Sequence, residues 1–285
     1  MDRLSFDDLD KYLLLKNGNF LYKIPFRGGQ AVLKVYYGSR GPVETVLKTL
    51  DNVIIMGQTS FMPRARLRTE QACMKMWREA GIRVFDIYSD VEVAGLPEGG
   101  YALYEYVPGR NFHRLLGDAS VPLDERRGLY REFLAQWCRR HRLAVDRKDP
   151  RLIHENGDLK HVMDYKGELF WFDFEMTFRS GRHIRDLVSR ELMAYIKSLH
   201  QFVTDPDLFR MYFSDMLELY GERSYLENIY TVFFRNSNIF TRVGRGLDYR
   251  LRPKQRRPKS KYSLAIRLRD ELAGRDAPGA GRTAG

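Results

Sequence analysis

The stretch Leu152–Glu175 reads LIHENGDLKHVMDYKGELFWFDFE. Its first part is polar and carries carboxylates, which suits a loop. Lys166-Gly167 signals a turn, Leu169–Phe172 is an apolar run of strand length, and Asp173-Phe174-Glu175 restores charge directly behind it. Two acidic sites joined through a β-hairpin suit phosphoryl transfer: one group orients or deprotonates an acceptor hydroxyl, and another holds the Mg²⁺ that bridges nucleotide phosphates. Asp173 is the strongest of these residues, because an acid directly after a buried strand has little structural reason to be there. Asp158 also fits a turn or helix cap, a common use of Asp. His154 reads more readily as a backbone-bonding histidine than as a catalyst, and His161 fits either role.

Upstream, residues 1–16 read as a short helix ending at the turn signal Asn17-Gly18-Asn19. Two strands follow, Phe20–Pro25 and Gln30–Tyr37, with a hairpin at Arg27-Gly28-Gly29. The second holds Lys34 inside an otherwise apolar run. A lysine in a strand fit for burial is costly without an anionic partner; Lys34 either reaches an anion or lies on an edge facing water. Thr59–Gly81 contains a helical pattern that stops at a glycine. Glu70 shares its face with Cys73, Met74 and Trp77, so a carboxylate is available for Lys34. Ile82–Tyr88 leads to a strand, and a further strand, Tyr101–Val107, ends at Pro108-Gly109, a suitable connector. Leu123–Val145, His183–Leu199, Leu208–Tyr220 and Tyr225–Phe234 read as helices, with Asp186 early in the second.

The totals bound the chain further. Its 285 residues, 44% hydrophobic and 13% aromatic, suit a globular protein of one large domain or two lobes. Two cysteines, Cys73 and Cys138, are too few for a disulfide framework and suit a reducing compartment. The acidic start argues against a secretory signal, and no apolar run reaches the length of a membrane span. The expected location is cytoplasmic, with any membrane contact made from the surface. None of His113, His141, His183 and His200 shows zinc-ligand spacing with the cysteines. The net charge is +11, and from Arg242 to Arg269 arginines and lysines face a single acid, Asp248. Such a segment is attracted to anionic lipid or nucleic acid, or is a solvated, partly disordered tail. Aromatic residues are not interleaved with its charges, so no stable nucleic-acid partner is expected. The last dozen residues read as a disordered tail.

AVLK at Ala31–Lys34, Glu70, YEYVPG at Tyr104–Gly109, HENGDLKHVM at His154–Met163 and FDFE at Phe172–Glu175 stand in an order and spacing that resemble the protein-kinase-like superfamily. They are most similar to the bacterial lipopolysaccharide core kinases, the heptose and Kdo kinases and their RIO-like relatives. The resemblance covers roughly residues 17–200. It implies an α+β, two-lobed fold: a small β-rich N-lobe with one main helix (1–107), a larger helical C-lobe (108–240), and a basic C-terminal segment with a disordered tail (241–285). It implies ATP and Mg²⁺ as cofactors, with Lys34 on the nucleotide phosphates and Glu70 holding Lys34. Glu105, Tyr106 and Val107 would line the adenine pocket through backbone groups, and Asp173 would hold the metal with His161 as ligand or neighbour. Glu175 departs from the usual glycine.

The catalytic loop allows two registers. Without gaps, His154-Glu155-Asn156 lies over the family's H-x-D and His161 over its Asn, which puts an amide at the base position. The other register uses Gly157-Asp158-Leu159-Lys160, makes Asp158 the base and shortens the loop. Asp158 is preferred because it alone is an ionisable acceptor. The implied function is an ATP-dependent kinase acting on a heptose or Kdo of the lipopolysaccharide inner core, with the basic segment on an anionic membrane surface. A pseudokinase-type binding module and a RIO-like protein kinase are the alternatives.

Overall fold

The computed structural model describes residues 2–37, 41–235, 243, 246–247 and 249–276. In chain order the strands are β1 (Asp2–Leu4), β2 (Leu13–Lys16), β3 (Phe20–Phe26), β4 (Gly29–Val35), β5 (Val91–Val93), β6 (Tyr101–Glu105), β7 (Arg110–Asn111), β8 (Val162–Tyr165) and β9 (Glu168–Trp171). The helices are α1 (Pro42–Leu50), α2 (Pro63–Glu79), α3 (Phe112–Leu115), α4 (Leu123–Arg147), α5 (Ile184–Phe202), α6 (Pro206–Leu219), α7 (Arg223–Phe234) and α8 (Lys261–Asp276). The class is α+β. The chain forms two compact units: 1–110 with 150–156 and 161–181, and 111–149 with 157–160 and 182–285. Segments 150–156 and 161–181 cluster with residues 1–110.

The first unit is built on an antiparallel sheet of order β2-β3-β4-β6. Arg27 and Gly28 both take positive φ, 46° and 76°, the twist a two-residue hairpin needs. Alternation along β4 sends Ala31, Leu33 and Val35 into an apolar cluster with Tyr22, Ile24 and Phe26. Lys34 and Tyr36 are therefore turned to the opposite face. Lys166-Gly167, at φ 55° and 84°, makes the same kind of turn between β8 and β9. Helix α2 starts at Pro63 and stops where Gly81 takes φ 72°.

Residues 1–16 differ from the single helix that the sequence suggested. Residues Asp2–Leu4 pair in parallel with β5, Leu9–Tyr12 form one 3-10 turn, and Leu13–Lys16 pair with β3. Leu13-Leu14-Leu15 has no polar phase to fix a helix face, and pairing with the β3 edge decides it, a tertiary preference that outweighs local propensity.

In the second unit α4 lays Tyr130, Phe133, Leu134 and Trp137 into the core, where Phe133 and Trp137 meet Tyr195 of α5 at ring distances of 5.4 and 5.3 Å. The basic C-terminal segment is structured where it is described. Tyr262, Leu264, Ala265, Leu268 and Leu272 bury one face of α8 against α5 and α7. Arg242, Arg245 and residues 277–285 lie outside the described residues. No helix among the described residues is long and apolar enough to cross a membrane.

Candidate functional site

Lys34, Glu70, Glu105, Tyr106, Val107, His161 and Asp173 lie in the first unit. The strand face opposite the apolar cluster carries Lys34, and α2 presents Glu70 on its buried side. Lys34 Nζ lies 2.8 and 3.0 Å from the two Glu70 carboxylate oxygens. It also lies 2.7 Å from Glu175 Oε1. Burial alone would push the Lys34 ammonium down, but the facing carboxylates of Glu175 and Glu70 reverse this and hold it well above the ordinary lysine value. Burial raises the Glu70 carboxyl, against the pull of Lys34. The Tyr36 hydroxyl donates to Glu70 and lies 2.7 Å from the Tyr104 hydroxyl.

The hairpin β8–β9 delivers the acidic triplet. Trp171 N bonds to Arg83 O, and behind it Phe174 packs its ring 4.5 Å from Trp77 of α2. Asp173, between them, has φ 74°. A left-handed backbone is uncommon at a non-glycine residue, and Asp and Asn adopt it more readily than most. Arg27 and Lys166 adopt it in hairpin turns and Lys148 at a helix end, where it has a local use. Asp173 lies in neither setting, behind β9.

Two histidines hold Asp173. His154 Nε2 is 3.1 Å from the Asp173 carbonyl, and the ring packs 5.6 Å from Trp77. His161 Nε2 lies 3.1 Å from Asp173 Oδ2, and its Nδ1 lies 3.0 Å from the Asn156 carbonyl. Both His161 ring nitrogens face oxygens, which orients the ring and the Asp173 carboxylate and leaves neither nitrogen open toward a metal ion. Ligation by His161 would therefore need the Asp173 contact to open.

Magnesium is held through one or two carboxylates with phosphate oxygens and water completing the shell. Asp173, one-third exposed at its side chain, fits that demand. Among the described residues no group of three His, Cys, Asp or Glu side chains could hold a metal ion unaided. A nucleotide would have to supply further ligands.

The adenine-pocket positions follow β6. Glu105 pairs with Ala31, and its side chain is committed structurally: Oε1 accepts from Asp86 N at 2.8 Å and from Arg83 Nη2 at 3.3 Å. Tyr106 carries Lys23 Nζ 4.0 Å above its ring. Val107 is half-buried. With their side chains so used, any ligand recognition at 105–107 would fall to the backbone.

Three residues of this unit had no assigned role in the sequence. Arg66, one helical turn before Glu70, is buried and lies 2.9 Å from Glu175 Oε2. Its spacing to Glu70 was the available signal. Glu175 lies between Arg66 and Lys34. Glu155 accepts from the Gln58 amide, and burial pushes its carboxyl up, with the nearby Asp173 charge adding to the effect. Gln58 belongs to a segment paired with the chain beyond Glu175: Thr59 N bonds Thr177 O at 2.8 Å, and Arg179 N bonds Gly57 O at 2.9 Å.

Asp158 lies in the second unit. Its Oδ1 accepts from Lys160 N at 3.0 Å and from Ser198 Oγ of α5 at 2.8 Å, and Ser198 Oγ in turn accepts from Leu159 N. The carboxylate thus caps its own turn and ties it to α5. Asp186 of α5 accepts from the Asn228 amide of α7 at 3.0 Å.

No protein-family model matches this sequence. No curated protein matches it. Among solved structures the chain is similar to "WaaP in complex with acyl carrier protein", at 13% identity and a TM-score of 0.43, covering 77% of this chain and 87% of that one.

Proposed function

We propose that the protein is an ATP- and Mg²⁺-dependent kinase of two-lobed protein-kinase-like fold that phosphorylates a sugar hydroxyl, heptose or Kdo, of the lipopolysaccharide inner core. The observation that carries the reading is the buried Lys34–Glu70 pair at 2.8 Å in the unit that also holds Asp173 at φ 74°. Lys34 would hold nucleotide phosphates, fixed by Glu70; the backbone of Glu105, Tyr106 and Val107 would receive the base. Asp173, oriented by His161 and His154, would hold Mg²⁺, which supplies charge neutralisation at the phosphates. Asp158 would accept the acceptor hydroxyl's proton. The acceptor class rests on the sequence resemblance. Arg250, Arg252, Lys254, Arg256, Arg257 and Lys259 are exposed, and would dock the protein on anionic lipid at the inner membrane; raising salt should then release it.

A second reading is favoured by one contact, that of His161 Nδ1 with the Asn156 carbonyl. It fits the gapless register, in which His161 stands over the family's Asn and an amide occupies the base position. The protein would then be a pseudokinase-type binding module.

Phosphate transfer from ATP to purified inner-core lipopolysaccharide separates the two. Under the kinase reading the wild type transfers and Asp158→Ala falls about 10²- to 10⁴-fold while Asn156→Ala does not. Nucleotide binding without transfer in the wild type, with activity appearing in Asn156→Asp, would establish the second. Phosphate on serine of added protein and not on glycolipid would point instead to a RIO-like protein kinase.

A further inference from the structure

If Lys34 is the nucleotide-phosphate lysine, one carboxylate bound to it still needs a task. We infer that Glu175 is a positioning residue that couples Lys34 to the turn Asn17–Asn19, so that lysine and turn meet a nucleotide as one piece.

Each link is a direct contact. Glu175 Oε1 lies 2.7 Å from Lys34 Nζ and accepts from the Asn19 amide. Glu175 Oε2 lies 2.9 Å from Arg66 Nη1, and that nitrogen donates to the Gly18 carbonyl at 3.2 Å. Arg66 Nη2 donates to the Tyr36 carbonyl, two residues past Lys34 on the chain. One carboxylate therefore reaches the lysine directly, the turn through Asn19, and both again through Arg66.

Charge explains why a carboxylate stands where the common protein-kinase pattern has glycine. The side chains of Lys34, Glu70, Glu175 and Arg66 are 10, 4, 11 and 3% exposed. Two cations and two carboxylates balance. With glycine at 175, Lys34 would keep Glu70 while Arg66 lost its carboxylate, and an uncompensated charge in so dry a place is strongly unfavourable. Arg66 and Glu175 are a matched pair. The exposure left at Lys34 and Glu175 is what allows an incoming phosphate to join the network.

The test uses the full chain, as wild type, Glu175→Gln and Glu175→Asp. Hydrogen exchange across residues 17–20, read without nucleotide, should speed up about tenfold in Glu175→Gln. With ATP, kcat should fall about tenfold while KM for ATP moves less than about threefold, because the lost charge no longer repels phosphate while the lysine and turn lose their alignment. Glu175→Asp, which keeps the charge, should recover part of kcat. Unchanged exchange overturns the coupling, whether or not the protein transfers phosphate. Faster exchange with kcat and KM both at wild-type values makes Glu175 merely structural and overturns it too. A wild type that transfers no phosphate overturns the kinase reading, and the exchange result still decides the coupling. Should Glu175→Gln not fold, Asn19→Ala cuts the turn's side of the link: exchange and kcat changing together support the coupling, and neither changing overturns it.

Discussion

Each unit buries an ion network, and the two differ in what they leave open. In the first unit Lys34, Glu70, Glu175 and Arg66 balance their charges, with Lys34 and Glu175 still about one-tenth exposed. In the second, Arg140, Glu191 and His141 are fully buried. Arg140 Nη1 lies 3.0 Å from Glu191 Oε2, Nη2 donates to Oε1, and His141 Nδ1 lies 2.8 Å from the Tyr220 hydroxyl. Arg140 and His141 hold the Glu191 carboxylate well below the usual range, against the upward push of burial. Pairing alone therefore does not mark a functional site. What sets the first network apart is the residual opening at Lys34 and the positive φ at nearby Asp173.

The comparison breaks if the sealed network proves dispensable. Glu191→Ala leaves Arg140 as a buried cation without its carboxylate, and should cost about 3–5 kcal/mol in urea unfolding. Replacing both partners, Arg140→Met with Glu191→Leu, should cost much less. The counterpart in the first unit is Asp173→Asn. Asn tolerates the left-handed conformation, so stability should stay within about 0.5 kcal/mol. Transfer of labelled phosphate from ATP should fall about 10²- to 10³-fold. A stability loss matching the activity loss would make Asp173 a structural residue.

What was legible in the sequence follows the same division. Lys34, Glu70 and Asp173 each break a local apolar pattern, a charge in a strand, on a helix face or behind a strand, and such breaks are readable without partners. The two hairpin turns were readable because Arg27-Gly28 and Lys166-Gly167 carry their own geometry. Partnerships across long separations were not. Arg66 and Glu175 are 109 residues apart, and nothing local says that one neutralises the other. Ser198, 40 residues from Asp158, decides how that carboxylate is used. Residues 1–16 misled because an edge strand decides their conformation.

The sealed network also titrates. Burial and the nearby Arg140 charge push the His141 pKa from 6.5 down to about 4, against the pull of Glu191. The folded state thus keeps His141 neutral where the unfolded chain protonates it. Its stability contribution is complete above pH 6.5 and is lost as pH falls toward 4, about 3 kcal/mol in all. Unfolding free energy measured across that window should show this slope, and His141→Gln, which keeps an acceptor for the Tyr220 hydroxyl, should remove it. A flat profile in the wild type would place an ionised histidine beside Glu191 and make the network an ion triad.

The smallest effect concerns where the sealed network touches the loop that carries Asp158. Gly157 lies against α5 so closely that an added Cβ would stand 2.8 Å from Tyr195 Cε2 and 3.2 Å from Glu191 Cγ. Its backbone lies outside the left-handed region, so crowding is the sole objection to a side chain. Tyr195 cannot retreat, because its ring is backed by Phe133 and Trp137. Gly157→Ala should therefore move the loop, stretch the Ser198 bonds to Leu159 N and Asp158, and cost about 1–3 kcal/mol as overpacking. If Asp158 is the base, phosphate transfer should fall by more than that loss of folded protein accounts for, and Ser198→Ala should repeat the kinetic defect with a smaller stability change. If Gly157→Ala loses stability alone, the loop serves packing in the second unit, and the base must be sought among Glu155 and the other groups of the first.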